Sequence, residues 1–291
     1  MPPDSSHISR LPDLTPPDLT LPTLTSEQSK VKEVFRLYAI LAFAFPLEAQ
    51  SGMGGKLLYA GQLGNQIGDH STGRNLLYAA NIAGAASLGA SADPAALRQA
   101  MRDGVIDFLV TSLDEALRIL KNEIRKRQTV SVGVAVEPSL LAEQMLERGV
   151  LPDLLPWPSC DDGAALDRPQ AERFVAQGST EIAFPETGTD SGKFSGNFVT
   201  WSITPSTSAP HNAARWLPRI DACALAALPA EDVLRRRWLR LAPRYLGRRM
   251  QKQHGVVFTA EEKVRFEVEV ERLVAMQGDE TMQVTIADGG S

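Results

Sequence analysis

The stretch that decides the fold begins Lys56-Leu57-Leu58-Tyr59-Ala60, passes through a turn carrying Gly61, Gly64, Gly68 and Gly73, and continues into the small residues of Asn75 to Ala86. The opening run reads as a strand. Asn75 to Ala86 reads as a helix through Ala79, Ala80, Ala83 and Gly84, whose small side chains allow close approach to a sheet. Toward the C-terminus, Asp93 and Pro94 supply an N-cap and a first-turn proline for a helix that stops at Gly104. Val105 to Val110 reads as the next strand. Ser112 and Glu115 form a capping box ahead of Leu113, Ala116, Leu117, Leu120 and Ile124 at helical spacing, with Arg118, Lys121, Arg125 and Lys126 on the outer face. Thr129 to Val136 is a further strand, Pro138 to Arg148 a helix stopped by Gly149, and Pro152 to Leu155 a last short strand. Strands alternating with capped amphipathic helices are the pattern of parallel strands joined by crossovers, so the expected class is α/β.

The flanks differ in character. Residues 1–26 repeat Pro, Leu, Thr and Asp and are expected to be a disordered tail. Residues 27–50 hold a helix ending at Pro46, with Val34, Leu37, Tyr38 and Leu41 on one stripe, whose expected role is docking. The α/β unit occupies 51–157. Residues 158–193 are rich in turn formers and read as a loop-rich linker. Residues 194–276 begin with a strand, Phe198 to Thr204, and continue as a smaller, mostly helical part. In it Leu234, Trp238 and Leu241 face a core, and Arg235, Arg236 and Arg240 face away. Thr259 and Glu262 cap the last helix, and 277–291 read as a disordered tail.

With 43% apolar residues in 291, the chain can bury a full core. A formal charge of −5 with acids and bases nearly balanced argues against a nucleic acid or an anionic membrane as main partner. Cys160 and Cys223 lie far apart without CxxC spacing, as in a reducing, cytoplasmic setting without disulfides. Met1 to Ser29 lacks the pattern of a secretory signal. The most apolar window, Phe35 to Phe45, is interrupted by Arg36 and is about half the roughly 20 residues needed to span a bilayer.

From Gly52 to Leu155 the sequence resembles the Rossmann-like, NAD-binding domain of the urocanate hydratase (urocanase) family. The resemblance rests on the strand and glycine turn of Lys56 to Gly73, the small-residue run Asn81 to Leu88, and the strand Val105 to Val110. It continues through Leu113-Asp114-Glu115-Ala116-Leu117, Val130-Ser131-Val132-Gly133-Val134, and above all Met145 to Asp153, with its Arg148-Gly149-Val150 and Pro152-Asp153. It implies a Rossmann-like sheet and NAD as cofactor, held where Gly61, Gly64, Gly68 and Gly73 let backbone N–H groups close on a pyrophosphate at a helix N-terminus. It also implies hydro-lyase chemistry on a small polar, imidazole-type substrate, as in histidine catabolism in bacteria, with NAD acting as an electrophile rather than a hydride carrier. Two departures stand out. The family's glycines are tightly clustered, whereas here they are spread and Asp69 intervenes; and the segment after Asp153 lacks the family's Thr, Asp, Gln, Ser, Ala and His residues. The same four glycines also suit turns that bind nothing, and the sequence names no catalytic residue.

Other constellations leave alternatives open. His7, His70, His211 and His254 have no metal-ligand spacing, so no metal site is expected. Asp69 and His70 are either an acid/base pair facing a pocket or two solvated loop residues. Seven arginines between Arg235 and Arg249, with Trp238 and Tyr245 among them, suit a solvated helix face or an interface better than RNA. The rival to the hydro-lyase reading is accordingly a non-catalytic, urocanase-related scaffold that binds a protein or a second copy of itself through this block.

Overall fold

The computed structural model describes residues 26–45, 52–64, 72–156, 166–183, 196–204, 212–246, 252–277 and 283–289. Ser26–Ala44 forms α1, with Val34, Leu37, Tyr38 and Leu41 all fully buried, as the stripe predicts. Among the described residues no helix is long and apolar enough to cross a membrane. There follow β1 (Leu57–Gln62), α2 (Thr72–Ala83), β2 (Ala86–Ala90), α3 (Pro94–Arg102), β3 (Phe108–Val110), α4 (Leu113–Arg125), β4 (Val130–Val134), α5 (Pro138–Glu147), β5 (Leu154–Pro156), α6 (Arg168–Ala176) and β6 (Thr180–Ile182). The six strands make one sheet in the order β3-β4-β2-β1-β5-β6, and each neighbouring pair is parallel.

Pleating assigns the side chains to two cores. Leu57, Tyr59, Leu88, Val130 and Val132 turn to one face and cluster with Leu113, Ala116 and Leu120 of α4, Leu141 and Met145 of α5, and Phe174 of α6. Leu58, Ala60 and Leu154 turn to the other, with Leu76 and Ala80 of α2, Leu97 of α3 and Leu37 of α1. Winding explains this division: the chain moves outward from β1 to β3 and then reverses through β4, β5 and β6. Right-handed crossovers therefore place α2 and α3 on one face and α4, α5 and α6 on the other. Each large apolar side chain so buried contributes about 1.5–3 kcal/mol.

The C-terminal part adds β7 (Asn197–Thr204), α7 (Asn212–Ala227), α8 (Val233–Tyr245), β8 (Gln253–Phe258), α9 (Ala260–Gln277) and β9 (Gln283–Gly289). Its strands form an antiparallel sheet, β8-β7-β9. Phe198 of β7 meets Phe35 at 5.4 Å between ring centroids, and Trp238 of α8 meets Phe35 at 5.1 Å and Tyr38 at 5.5 Å. On the opposite face Trp201, Phe258 and Phe266 pack together, with Trp201 and Phe266 5.0 Å apart. One apolar core thus runs from the parallel sheet through α1 and α2 to the antiparallel sheet.

Several expectations need correction. The helix expected to reach Ala86 ends at Ala83, where Gly84 takes φ 97 and its N–H returns to the Ala80 carbonyl. Residues 86–90 are instead β2, a central strand hidden by its small residues, Ala86, Ser87, Gly89 and Ala90. They are small because neighbours press close: a Cβ on Gly89 would stand 2.7 Å from the Leu63 side chain. The strand expected over Val105 to Val110 is confined to Phe108–Val110. The expected linker, 158–193, contributes α6 and β6, the latter paired to β5. The expected C-terminal tail, 277–291, contributes β9, paired to β7 along its length. Arg235 does not face away but is 7% exposed. The expectation for the N-terminal tail falls on 1–25, outside the described residues, together with Ser26, which opens α1.

Candidate functional site

β1 and β5 are adjacent in the sheet, yet the chain leaves β1 toward α2 on one face and β5 toward α6 on the other. Their carboxyl ends therefore flank a topological switch point, the place where open α/β sheets form a crevice. Gly61 lies here at φ 73, beside a shift in the β1–β2 register between Tyr59 and Gly61. Leu63 N–H donates to the Ala90 carbonyl at 2.7 Å, tying the end of β1 to the end of β2. Gly73 sits in the first turn of α2 so tightly that a Cβ would overlap the Gln62 carbonyl oxygen and stand 3.2 Å from that of Ala60. Gly61, Gly64 and Gly73 are thus brought together at the carboxyl rim of the central strand. Gly68, with Asp69 and His70, lies outside the described residues.

Beyond the end of β2 stands Asp93, which caps α3. Asp93 stands twenty residues after Gly73, a spacing that would have flagged it. It is exposed; one carboxylate oxygen accepts from the Ala95 N–H at 2.8 Å, and its own N–H donates to the Ser91 hydroxyl at 3.2 Å. The first turn of α2 carries no acidic residue that would repel an anion. Arg74, in the same turn, is engaged by Asp103.

The most family-specific motif sits at the opposite rim. Asp153 precedes β5, where its carboxylate accepts from the Leu57 N–H at 2.8 Å and the Lys56 ammonium at 2.9 Å, fixing the start of β1 beside β5. Arg148 engages Asp114 at the surface and holds that carboxyl below the usual range, chiefly through its hydrogen bonds. Both are architectural contacts.

The arginine block is largely turned inward. Arg235 binds Glu262 through two hydrogen bonds, 2.6 and 2.9 Å, and Asp232 through another at 2.6 Å. Arg236 donates to the carbonyls of Leu225 and Leu228, and Arg237 to that of Ile82. Arg240 and Arg244 remain exposed; Arg248 and Arg249 lie outside the described residues. His254 is buried against Asp221 at 2.8 Å, and the same carboxylate accepts from the Trp201 indole N–H at 3.0 Å. Elsewhere, an open concavity of about 590 Å³ is bordered by Gly196, Phe258, Thr259, Lys263, Val264 and Glu267. Lys263, the one cation among its described lining residues, is already engaged by Asp288 and Glu267.

Residues 40–162, which carry five of the six parallel strands, match the family described as the urocanase Rossmann-like domain, enclosing the region of resemblance. Among particular proteins, the chain is 29% identical over 112 residues to S-methyl thiourocanate hydratase of Variovorax sp. (strain JCM 16519 / RA8). That match takes in 38% of this chain and spans 20% of the relative's length.

Proposed function

We propose that this protein is a urocanase-related hydro-lyase that holds NAD at the β1–α2 turn and acts on a small polar, imidazole-type substrate. The observation that carries the reading is the placement of Gly61, Gly64 and Gly73 at the switch point. The first-turn N–H groups of any α-helix lack intrahelical acceptors, so those of α2 can receive a pyrophosphate. Gly73 permits the close helix–strand packing that brings them to the end of β1. Asp93, three residues past the end of β2, is the acid assigned to a ribose hydroxyl in this reading. When bound, NAD supplies an electrophilic nicotinamide ring.

The test is the absorbance and mass spectrum of the purified protein together with calorimetric titration of NAD. Saturable binding at one site per chain is expected. A protein that carries no NAD and takes none up refutes the reading. The scaffold alternative draws on the short aligned share of the relative, 20%, and on the altered segment after Asp153. Of its arginines, Arg240 and Arg244 are the described ones on the surface. An NAD-independent assembly seen by light scattering favours that alternative.

A further inference from the structure

Arg237 reaches from α8 to the far end of α2, where its Nε–H donates to the Ile82 carbonyl at 3.0 Å, one residue before the helix ends. Met53 N–H donates to the neighbouring Ala83 carbonyl at 2.8 Å. Between these contacts Gly52, at φ 62, is confined by the Ala83 carbonyl and the Arg237 guanidinium, so that a Cβ there would overlap both. Burial pushes the Arg237 pKa below its ordinary value, against the pull of Tyr38 and Tyr245. What receives the guanidinium is the electronegative end of a helix, whose last carbonyls have no intrahelical donors.

Both ends of α2 are therefore fixed, by Gly73 against β1 at one and by Arg237 at the other. At 1.5 Å per residue the helix is about 18 Å long, short enough to move as a rod. We propose that Arg237 is a positioning residue for the β1–α2 crevice: by holding the carboxyl end of α2 it sets where the first-turn N–H groups stand. The proposal rests on reading that crevice as a dinucleotide site. Arg236, the adjacent residue, supplies an internal control, because it binds the Leu225 and Leu228 carbonyls at the end of α7 and not α2.

The experiment compares the full chain with Arg237→Met, Arg237→Lys and Arg236→Met by NAD calorimetry and by hydrogen exchange of peptides covering α2. Loss of a charged hydrogen bond predicts that Arg237→Met weakens NAD binding about tenfold and speeds exchange in α2. Arg237→Lys restores part of the affinity, and Arg236→Met leaves it within about twofold. Equal weakening by Arg236→Met and Arg237→Met assigns the effect to general destabilisation and overturns the proposal, as does wild-type affinity in Arg237→Met. If Arg237→Met does not fold, the comparison of Arg237→Lys with Arg236→Met decides in the same way. Failure of the wild-type chain to bind NAD overturns the crevice reading and the positioning role together. NAD binding that is indifferent to Arg237 overturns the positioning role alone.

Discussion

At Gly73 the first turn of α2 lies against the carbonyls of Gln62 and Ala60, so a single methyl group has nowhere to go. Gly73→Ala must push the helix off the end of β1 and is expected to cost about 1–3 kcal/mol, the usual range for overpacking. Urea unfolding measures this; unchanged stability would mean that the turn has slack. The variant is also expected to lose NAD affinity, because the displaced end is the one whose N–H groups are proposed to receive the pyrophosphate. Glycine at this position was legible in the sequence, but its reason was not: spacing points to a turn, whereas the contact that demands glycine comes from another element. Asp153 makes the same point in reverse. Its motif signals the family most clearly, yet its carboxylate joins the starts of β1 and β5, away from the crevice.

Element by element, the legible parts were those whose pattern is local. The α9 capping box forms as expected, with Glu262 N–H donating to the Thr259 hydroxyl at 3.3 Å and Thr259 N–H to the Glu262 carboxylate at 2.9 Å. β4, with its valines, was equally plain. β2 was not, because Ala86, Ser87, Gly89 and Ala90 have weak strand preference and owe their conformation to neighbours on both sides. β6 and β9 were missed because they lie at sheet edges among turn-forming residues. The cap made by Arg237 joins segments 155 residues apart and leaves no trace in local spacing. α9 also carries a titration test. Burial raises the Glu262 pKa, but the Arg235 guanidinium and the Thr259 N–H favour the charged form and prevail, leaving it below the ordinary value. A depressed folded value stabilises the protein above the unfolded value of about 4.3, and that contribution disappears as pH falls through the folded value. The stability advantage of wild type over Glu262→Gln is therefore expected to be full at pH 7 and to shrink below about pH 4. A constant difference across that range would contradict the assignment. Glu262→Ala, which leaves Arg235 buried without this partner, is expected to cost about 3–5 kcal/mol.

For the whole molecule, the parallel sheet and the C-terminal part share one core through Phe35, Tyr38, Phe198 and Trp238, and α2 belongs to both. The helix that opens at the crevice is thus held by residues more than a hundred positions downstream, Arg237 among them. The placement of the glycine turn at the carboxyl rim of a parallel sheet is the feature from which the functional account grows. A crystal structure of the protein with saturating NAD tests it most directly. The pyrophosphate is expected within hydrogen-bonding distance of the first-turn N–H groups of α2, beside the carboxyl end of β1. NAD bound at any other place on the chain, or density for none, would contradict it.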